Sequence, residues 1–459
     1  MTLNERIDQW FAGREDEFVA ALAPLIAIDS TTGTPEQGMP FGAGPAKALE
    51  AALELAQSWG FRTANDEGYV GLVDLNDCPD QLHILAHLDV VGVGDGWDTD
   101  PFTLVREGDL IYGRGTDDDK GPAVAALMAM RCVKELGLPL TKNVKLVLGT
   151  DEETGSRDIE HYYSHAPYAP NAITPDSNFP VTNIEKARYA PVFGAQWDPV
   201  DAFPCLASVK GGIRSNVAPG YCEARIVGHV DVVLPELEGI RFEVEEDESG
   251  ITIRSYGKEA HASTPEEGRN AITAMLEALC GLPLCGTPQA DTVYQLSKLF
   301  PYGDNAGQHL GVAQSDEVSG PLTLTLSVLE ITCEGFSGQF DVRAPICANE
   351  DNLVRVMEET CAENGWSCTG EMIQAHVVDA DSDFIRTLLD CYEHFSGKEG
   401  FCEAIGGGTY VHEIPGGVVF GAGDAGFDSR LHGANERARI SQLLMTGKIY
   451  AAVIARLCE

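Results

Sequence analysis

Between His83 and Glu153, inside about seventy residues, three successive runs end in side chains that bind metals or carry protons: HILAHLDVV, GRGTDDDKGP and LVLGTDEETGS. The series constrains the fold. In a sheet-based domain such residues sit where strands end and loops begin, and open α/β sheets hold their ligands there. The stretch therefore reads as part of a metal-dependent enzyme.

The flanking pattern supports that architecture. Apolar positions recur at helical spacing over residues 2–28 and 45–59, and short β-like runs follow at Val70–Leu75 and His83–Val91. Residues Lys120–Leu136, rich in Ala, Met and Leu and closed by Gly137, predict a buried helix, and Val144–Gly149 another strand. Strand, helix and strand in that order imply parallel pairing through a right-handed crossover, hence an α/β domain. From about Arg188 the texture becomes alternating, with antiparallel strands expected at Thr252–Tyr256, Leu322–Leu326 and Gly338–Arg343 and helices at Arg269–Leu279 and Asn352–Asn364. After about Gln374 the α/β texture returns, with a helix at Asp383–Phe395, a GGGTY loop, a GGVVFGAG strand and a last helix to Cys458. The expected architecture is one discontinuous catalytic domain, residues 1–187 and 375–459, with a mixed sheet flanked by helices and an inserted α+β lid at 188–374.

Composition excludes several partners. At 459 residues and 44% hydrophobic content the chain can bury a large core and should divide into two or more domains. Its 71 acidic residues against 31 basic ones give a net charge of −40, which repels nucleic acid and anionic membranes. That charge suits solubility or salt adaptation first and attraction of metal cations second. MTLNERIDQWFAG has no basic patch followed by an apolar core, and no window approaches a membrane span, so a cytoplasmic protein is expected. The 13 cysteines are odd in number and lack a C-x-x-C pair. They are expected to be mostly reduced core residues.

Each motif has a bland explanation in isolation. In His87-Leu88-Asp89 alternation along a strand points His87 and Asp89 to one side, which suits a metal-binding histidine with a nearby carboxylate, but also a satisfied core histidine. Asp117, Asp118 and Asp119 precede a helix N-terminus, where backbone amides and the macrodipole favour negative charge, and capping alone accounts for them. Asp151, Glu152 and Glu153 crowd like charges at a strand end, which is unfavourable unless a cation or a proton offsets them, although solvated loop acids remain an alternative.

The combination is more specific than its parts. With Asp176 in TPDSNFP and His432 in RLHGANE, the strand-end residues supply the oxygen and nitrogen ligands that suit Zn²⁺ or Mn²⁺. Five ligands are too many for one open tetrahedral site and suit two ions about 3.5–4 Å apart, bridged by one carboxylate. One carboxylate must then stay free as general base towards the activated water.

The order H-L-D, GRGTDDDKG, TDEETGS, PDSNFP, GKEAHASTPEEGRNA and LHGANE resembles the co-catalytic zinc metallopeptidases, the family of aminoacylases, succinyl-diaminopimelate desuccinylase and carnosinases. Within it the chain is most similar to the bacterial PepV-type dipeptidases. The resemblance implies that His87 and Asp176 bind one metal, Glu153 and His432 the other, and that Asp118 bridges them. It makes Glu152 the general base, Asp89 the carboxylate that orients His87, and His261 the lid residue that stabilises the oxyanion. Asn216 and Arg343 would contact substrate, and Gly407, Gly408 and Thr409 would receive its C-terminal carboxylate.

The implied cofactors are two divalent ions, Zn²⁺ first, with Mn²⁺ and Co²⁺ accepting the same ligands. The implied activity is hydrolysis of short unblocked peptides, dipeptides above all and Xaa-His among the candidates, by a monomer whose lid hinges near Lys186 and Gln374. An N-acyl amino acid deacylase or related amidohydrolase is the alternative, and a non-catalytic binding homologue the third reading.

Overall fold

A computed structural model describes residues 1–459. The chain divides into two compact units, one formed by Met1–Asn183, Val377–Glu403 and Gly408–Glu459, the other by Ile184–His376 with Ala404–Gly407. The inserted segment therefore begins four residues before the expected 188 and ends two residues after 374, and a short return of the glycine loop joins it.

In the first unit four neighbouring strands, Asn143–Gly149, Asp80–His87, Asn171–Thr174 and Gly417–Val419, run parallel. The hairpin Arg62–Asp66 and Val70–Asp74 extends one edge antiparallel, so the sheet is mixed. Alternation along the strands feeds two cores. Ile84, Ala86, Leu146 and Leu148 join the helices Lys120–Glu135 and Ile440–Cys458 on one face, while Leu85 and Val147 meet Ile159, Tyr162 and Tyr410 on the other. Burial on both faces explains why these strands read as continuous apolar runs.

The helix Lys120–Glu135 stops where its sequence predicts, with Gly137 at φ 61° just beyond Leu136. Residues 2–28 make two helices, Leu3–Phe11 and Glu15–Ile26, because Gly13 breaks the run at φ 75°. The expected strand His83–Val91 ends at His87, where the chain turns to present its side chains.

The second unit is built on an antiparallel sheet ordered Arg241–Asp247, Gly250–Tyr256, Tyr221–Val227, Cys205–Gly211, Thr323–Ile331, Gly335–Ala344, Ala187–Tyr189 and Met372–Ile373. Ile251, Ile253, Cys222, Ala224 and Ile226 are buried in one core with the helices Ala271–Cys280 and Pro288–Leu299, while Glu223, Arg225 and Thr252 between them are more exposed. The second of these helices was not anticipated. A π turn at Glu350–Val354 precedes the helix Arg355–Glu363.

All thirteen cysteines are free, but only Cys132, Cys222, Cys361, Cys391 and Cys458 are buried, fewer than the sequence reading expected. No helix is long and apolar enough to cross a membrane.

Candidate metal centre

The parallel strands Asn143–Gly149, Asp80–His87 and Asn171–Thr174 all deliver polar side chains at their carboxyl ends. His87 closes its own strand, Glu152 and Glu153 open a 3₁₀ turn, and Asp176 lies two residues past Thr174. Asp118 comes from the loop entering the helix Lys120–Glu135, and its bond to Asp119 is cis. His432 sits in a turn at φ 59°, in the left-handed region.

These residues converge on Asp118. Its Oδ1 lies 2.8 Å from His87 Nε2 and its Oδ2 2.9 Å from His432 Nε2. Asp176 Oδ1 is 3.9 Å from His87 Nε2, and Glu153 Oε1 is 3.3 Å from His432 Nε2. Ligand atoms of His87, Asp118 and Asp176 lie within 4.8 Å of one another, and so do those of Asp118, Glu153 and His432. Asp118 belongs to both triads. The neighbouring Asp117 instead gives its backbone amide to Glu436 at 2.9 Å.

The electrostatics are those of a site with surplus negative charge. Burial raises Glu152 well above the usual carboxylate range, and repulsion from Asp176, Glu153 and Asp118 adds to it. Burial and the charge of Asp118 likewise raise Asp176 and Glu153. The carboxylates of Asp118 and Glu153 beside its ring push His432 up to about 10. Burial opposes charge on His87, yet Asp118 and Asp89 outweigh it and hold the imidazolium well above its usual range.

Asp89 meets both His87 and the glutamate turn. His87 Nδ1 lies 3.0 Å from the backbone oxygen of Asp89 and 3.5 Å from its carboxylate. The two carboxylate oxygens accept from the amides of Glu152 and Glu153, both at 3.1 Å. Asp89 thus fixes the turn that carries both glutamates. Asp119, fully buried, accepts the amide of His87 at 3.1 Å.

Three supporting residues escaped the sequence reading. Glu436, the last letter of LHGANE, accepts from the amides of Gly115, Asp117 and Asp118 and pairs with Arg114. Asp158 accepts from the amide of Asp151 at 3.0 Å and from the Tyr410 hydroxyl, and the Tyr410 ring meets His87 edge-on at 6.3 Å. The signal for Glu436 and Asp158 was a charge inside or beside a quoted motif, and for Tyr410 its place in the GGGTY loop, but only packing tells a buried partner from a solvated one.

In the second unit, His261 and Val217 are cross-strand partners, which brings Asn216 beside the HAS segment, and the amide of Ala262 donates to the Asn216 oxygen at 2.9 Å. His261 Nδ1 is 2.6 Å from Ser263 Oγ. Gly406 packs so closely that a Cβ would come within 2.6 Å of Ser263 Cβ. Arg343 is 5% exposed, with its guanidinium on Asp341 and the Gly406 carbonyl. Its fork is engaged rather than open. Gly407 falls in this unit, whereas Gly408 and Thr409 fall in the first, where the Thr409 hydroxyl caps the 3₁₀ turn Tyr410–Glu413.

Residues 83–456 match the family described as Peptidase family M20/M25/M40. The chain belongs to this family. It is accordingly a peptidase, a hydrolase of peptide bonds.

Among curated M20 relatives, the dipeptidase-named protein YtjP of Bacillus subtilis (strain 168) is 34% identical over 452 residues, spanning 94% of each chain. The Beta-Ala-Xaa dipeptidase of Lactobacillus delbrueckii subsp. lactis is 31% identical over 466 residues, 97% of each. The crystal structure of human carnosine dipeptidase 1 shares the fold at TM-score 0.60 and 17% identity, covering 100% of this chain and 99% of that one.

The M20 chain's donor set suits metal. Glu153 Oε1 is shielded from water and makes no hydrogen bond despite its nearness to His432. An orphaned buried carboxylate oxygen beside imidazoles and further carboxylates fits a pair of divalent cations sharing Asp118.

Proposed function

We propose that this M20 peptidase is a two-metal dipeptidase acting on short unblocked peptides. The observation that carries the reading is the placement of Asp118, one oxygen against His87 and the other against His432. Asp118 would bridge, with His87 and Asp176 on one cation and Glu153 and His432 on the other. Zn²⁺ best suits mixed imidazole and carboxylate ligands at such a site, and Mn²⁺ and Co²⁺ accept them too. Cations held there would supply Lewis-acid polarisation of the scissile carbonyl and acidify a water.

Glu152 carries the proton. It stands beside both ligand triads and belongs to neither, which leaves its carboxylate to take a proton from the attacking water and return it to the leaving amine nitrogen as the C–N bond breaks. Asp89 holds the backbone of Glu152 by its amide, which fixes where that side chain leaves the turn. For the remaining residues the proposal rests on the resemblance: His261 as oxyanion donor, Asn216 as substrate ligand, Arg343 as a substrate ligand only on releasing the Gly406 carbonyl, and Gly407 with Gly408 and Thr409 for the C-terminal carboxylate.

The test is hydrolysis of a panel of unblocked dipeptides, with β-alanyl and Xaa-His members, beside matching N-acetylated amino acids, using Zn²⁺- or Mn²⁺-loaded protein and Glu152→Gln as control. The name of the 31% identical relative motivates the β-alanyl members. Cleavage of free dipeptides that disappears in the control is the expected result. Preference for acylated substrates would make the protein a deacylase, and silence with every metal would sink the catalytic reading.

A further inference from the structure

Away from Asp118, a second set of ligand-type side chains converges within the first unit, where the turn of the hairpin Arg62–Asp74 meets the helix Arg157–Tyr163. His161 and His165 are four residues apart, and their rings meet edge to face with centroids 5.2 Å apart and 72° between planes. Asp66 and Glu67 reach them from the hairpin turn. Asp66 Oδ2 is 3.1 Å from His165 Nε2, and Glu67 Oε2 is 3.2 Å from His161 Nε2. Ligand atoms of Asp66, His161 and His165 lie within 4.8 Å of one another.

The orientation of His161 is fixed. Its ring stacks on Tyr69 at 3.8 Å and 13° between planes, which aims Nε2 at the carboxylates. That nitrogen is shielded from water and has no hydrogen-bond partner, since the 3.2 Å approach of Glu67 lacks hydrogen-bond geometry. A divalent cation takes two neutral imidazoles and the carboxylates together, and imidazole with carboxylate oxygen is a Zn²⁺-type donor set.

We propose that Asp66, Glu67, His161 and His165 form a third divalent-cation site, independent of the centre at Asp118. Its cation clamps the hairpin turn to a helix that starts directly after the Glu152–Glu153 turn. The clamp reaches that turn through Arg157, whose guanidinium grips Asp151 at 2.7 and 2.8 Å, and through Asp158, which accepts the Asp151 amide. The site should therefore stabilise the fold around the turn without entering the chemistry.

Metal content decides the matter. The full chain is stripped, dialysed against Zn²⁺ and compared with His161→Gln/His165→Gln and with Asp118→Asn. The histidine variant should hold one Zn²⁺ fewer than wild type, keep its peptidase activity, and lose part of the rise in Tm that Zn²⁺ gives the wild type. Asp118→Asn should lose activity but keep the equivalent that the histidine pair removes. If the histidine variant binds as many Zn²⁺ ions as wild type, the four residues are ion pairs only and the site does not exist. Because the count is read as a difference, failure here leaves the Asp118 centre untouched, and failure there leaves this site standing. Should the histidine variant misfold, Asp66→Asn/Glu67→Gln on the hairpin turn must show the same loss, and retention of the full count overturns the proposal.

Discussion

Arg114 and Glu436, 322 positions apart in the chain, form an ion pair of 2.7 Å in which neither side chain is more than 1% exposed. Arg114 also donates to the carbonyls of His432 and Gly433 at 3.2 Å, while Glu436 accepts the amides of Asp117 and Asp118. One buried pair thus ties the loop of Asp118 to the turn of His432, and the left-handed backbone of His432 is held from behind.

Breaking this pair should be costly. Glu436→Ala leaves a buried guanidinium and three backbone amides without their acceptor, and the expected loss is about 3–5 kcal/mol of stability. Denaturant unfolding of Glu436→Ala and Arg114→Met measures it. Zn²⁺ affinity should fall with it, because Asp118 and His432 lose their common support. Unchanged affinity in a folded variant would show that the two loops hold their places unaided.

Asp89 should act through the glutamate turn. Asp89→Ala removes the acceptor of the Glu152 and Glu153 amides while His87 keeps the backbone oxygen of residue 89. The expected result is a fall in kcat of about 10- to 100-fold, the scale of a lost supporting contact at a metal site, with a smaller change in KM. A loss of metal without a kcat effect at saturating Zn²⁺ would assign Asp89 to His87 instead.

Gly149 is the point of closest packing behind the site. A Cβ there would overlap the Tyr410 hydroxyl and the Asp158 carboxylate. Gly149→Ala should cost about 1–3 kcal/mol as an overpacked core position. Thermal unfolding checks it, and Gly149→Ala combined with Tyr410→Phe should recover part of the loss.

Acid sensitivity should have a component far from the metals. Burial would raise Asp80, but His83, Lys145 and Asn143 reverse this and hold its carboxyl below the usual range, with Lys145 Nζ at 2.6 Å and Asn143 Nδ2 at 2.7 Å. A folded pKa below the unfolded value of about 3.9 stabilises the protein above that pH and stops doing so as pH falls through the folded value. Asp80→Asn should be less stable at pH 7 by about 1.5–3 kcal/mol, the range for hydrogen bonds to a charged group. The gap between variant and wild type should close below about pH 4, and a gap independent of pH would show that packing, not charge, is lost.

Much of the architecture was legible along the chain because local rules set it. Alternation, helical spacing and the Gly137 stop marked the parallel strands and the helix Lys120–Glu135, and the placing of acids and histidines after apolar runs marked the strand ends. The helix Pro288–Leu299 was missed because half of its surface is polar and its apolar positions gain meaning only against the sheet of the second unit. The break at Gly13 was missed because apolar spacing continues across it.

The sequence by itself determined the family, the two-part division of the chain and the residue types gathered at the strand ends, since motif order and periodicity are properties of neighbours. Only the tertiary structure decided that Glu436 holds the amides of Asp117 and Asp118, that the Asp89 carboxylate serves the glutamate amides, and that Arg343 is engaged by Asp341. Each depends on which donor meets which acceptor across tens or hundreds of residues. Burial sets that pairing, because a polar group removed from water must find its partner wherever the fold brings one.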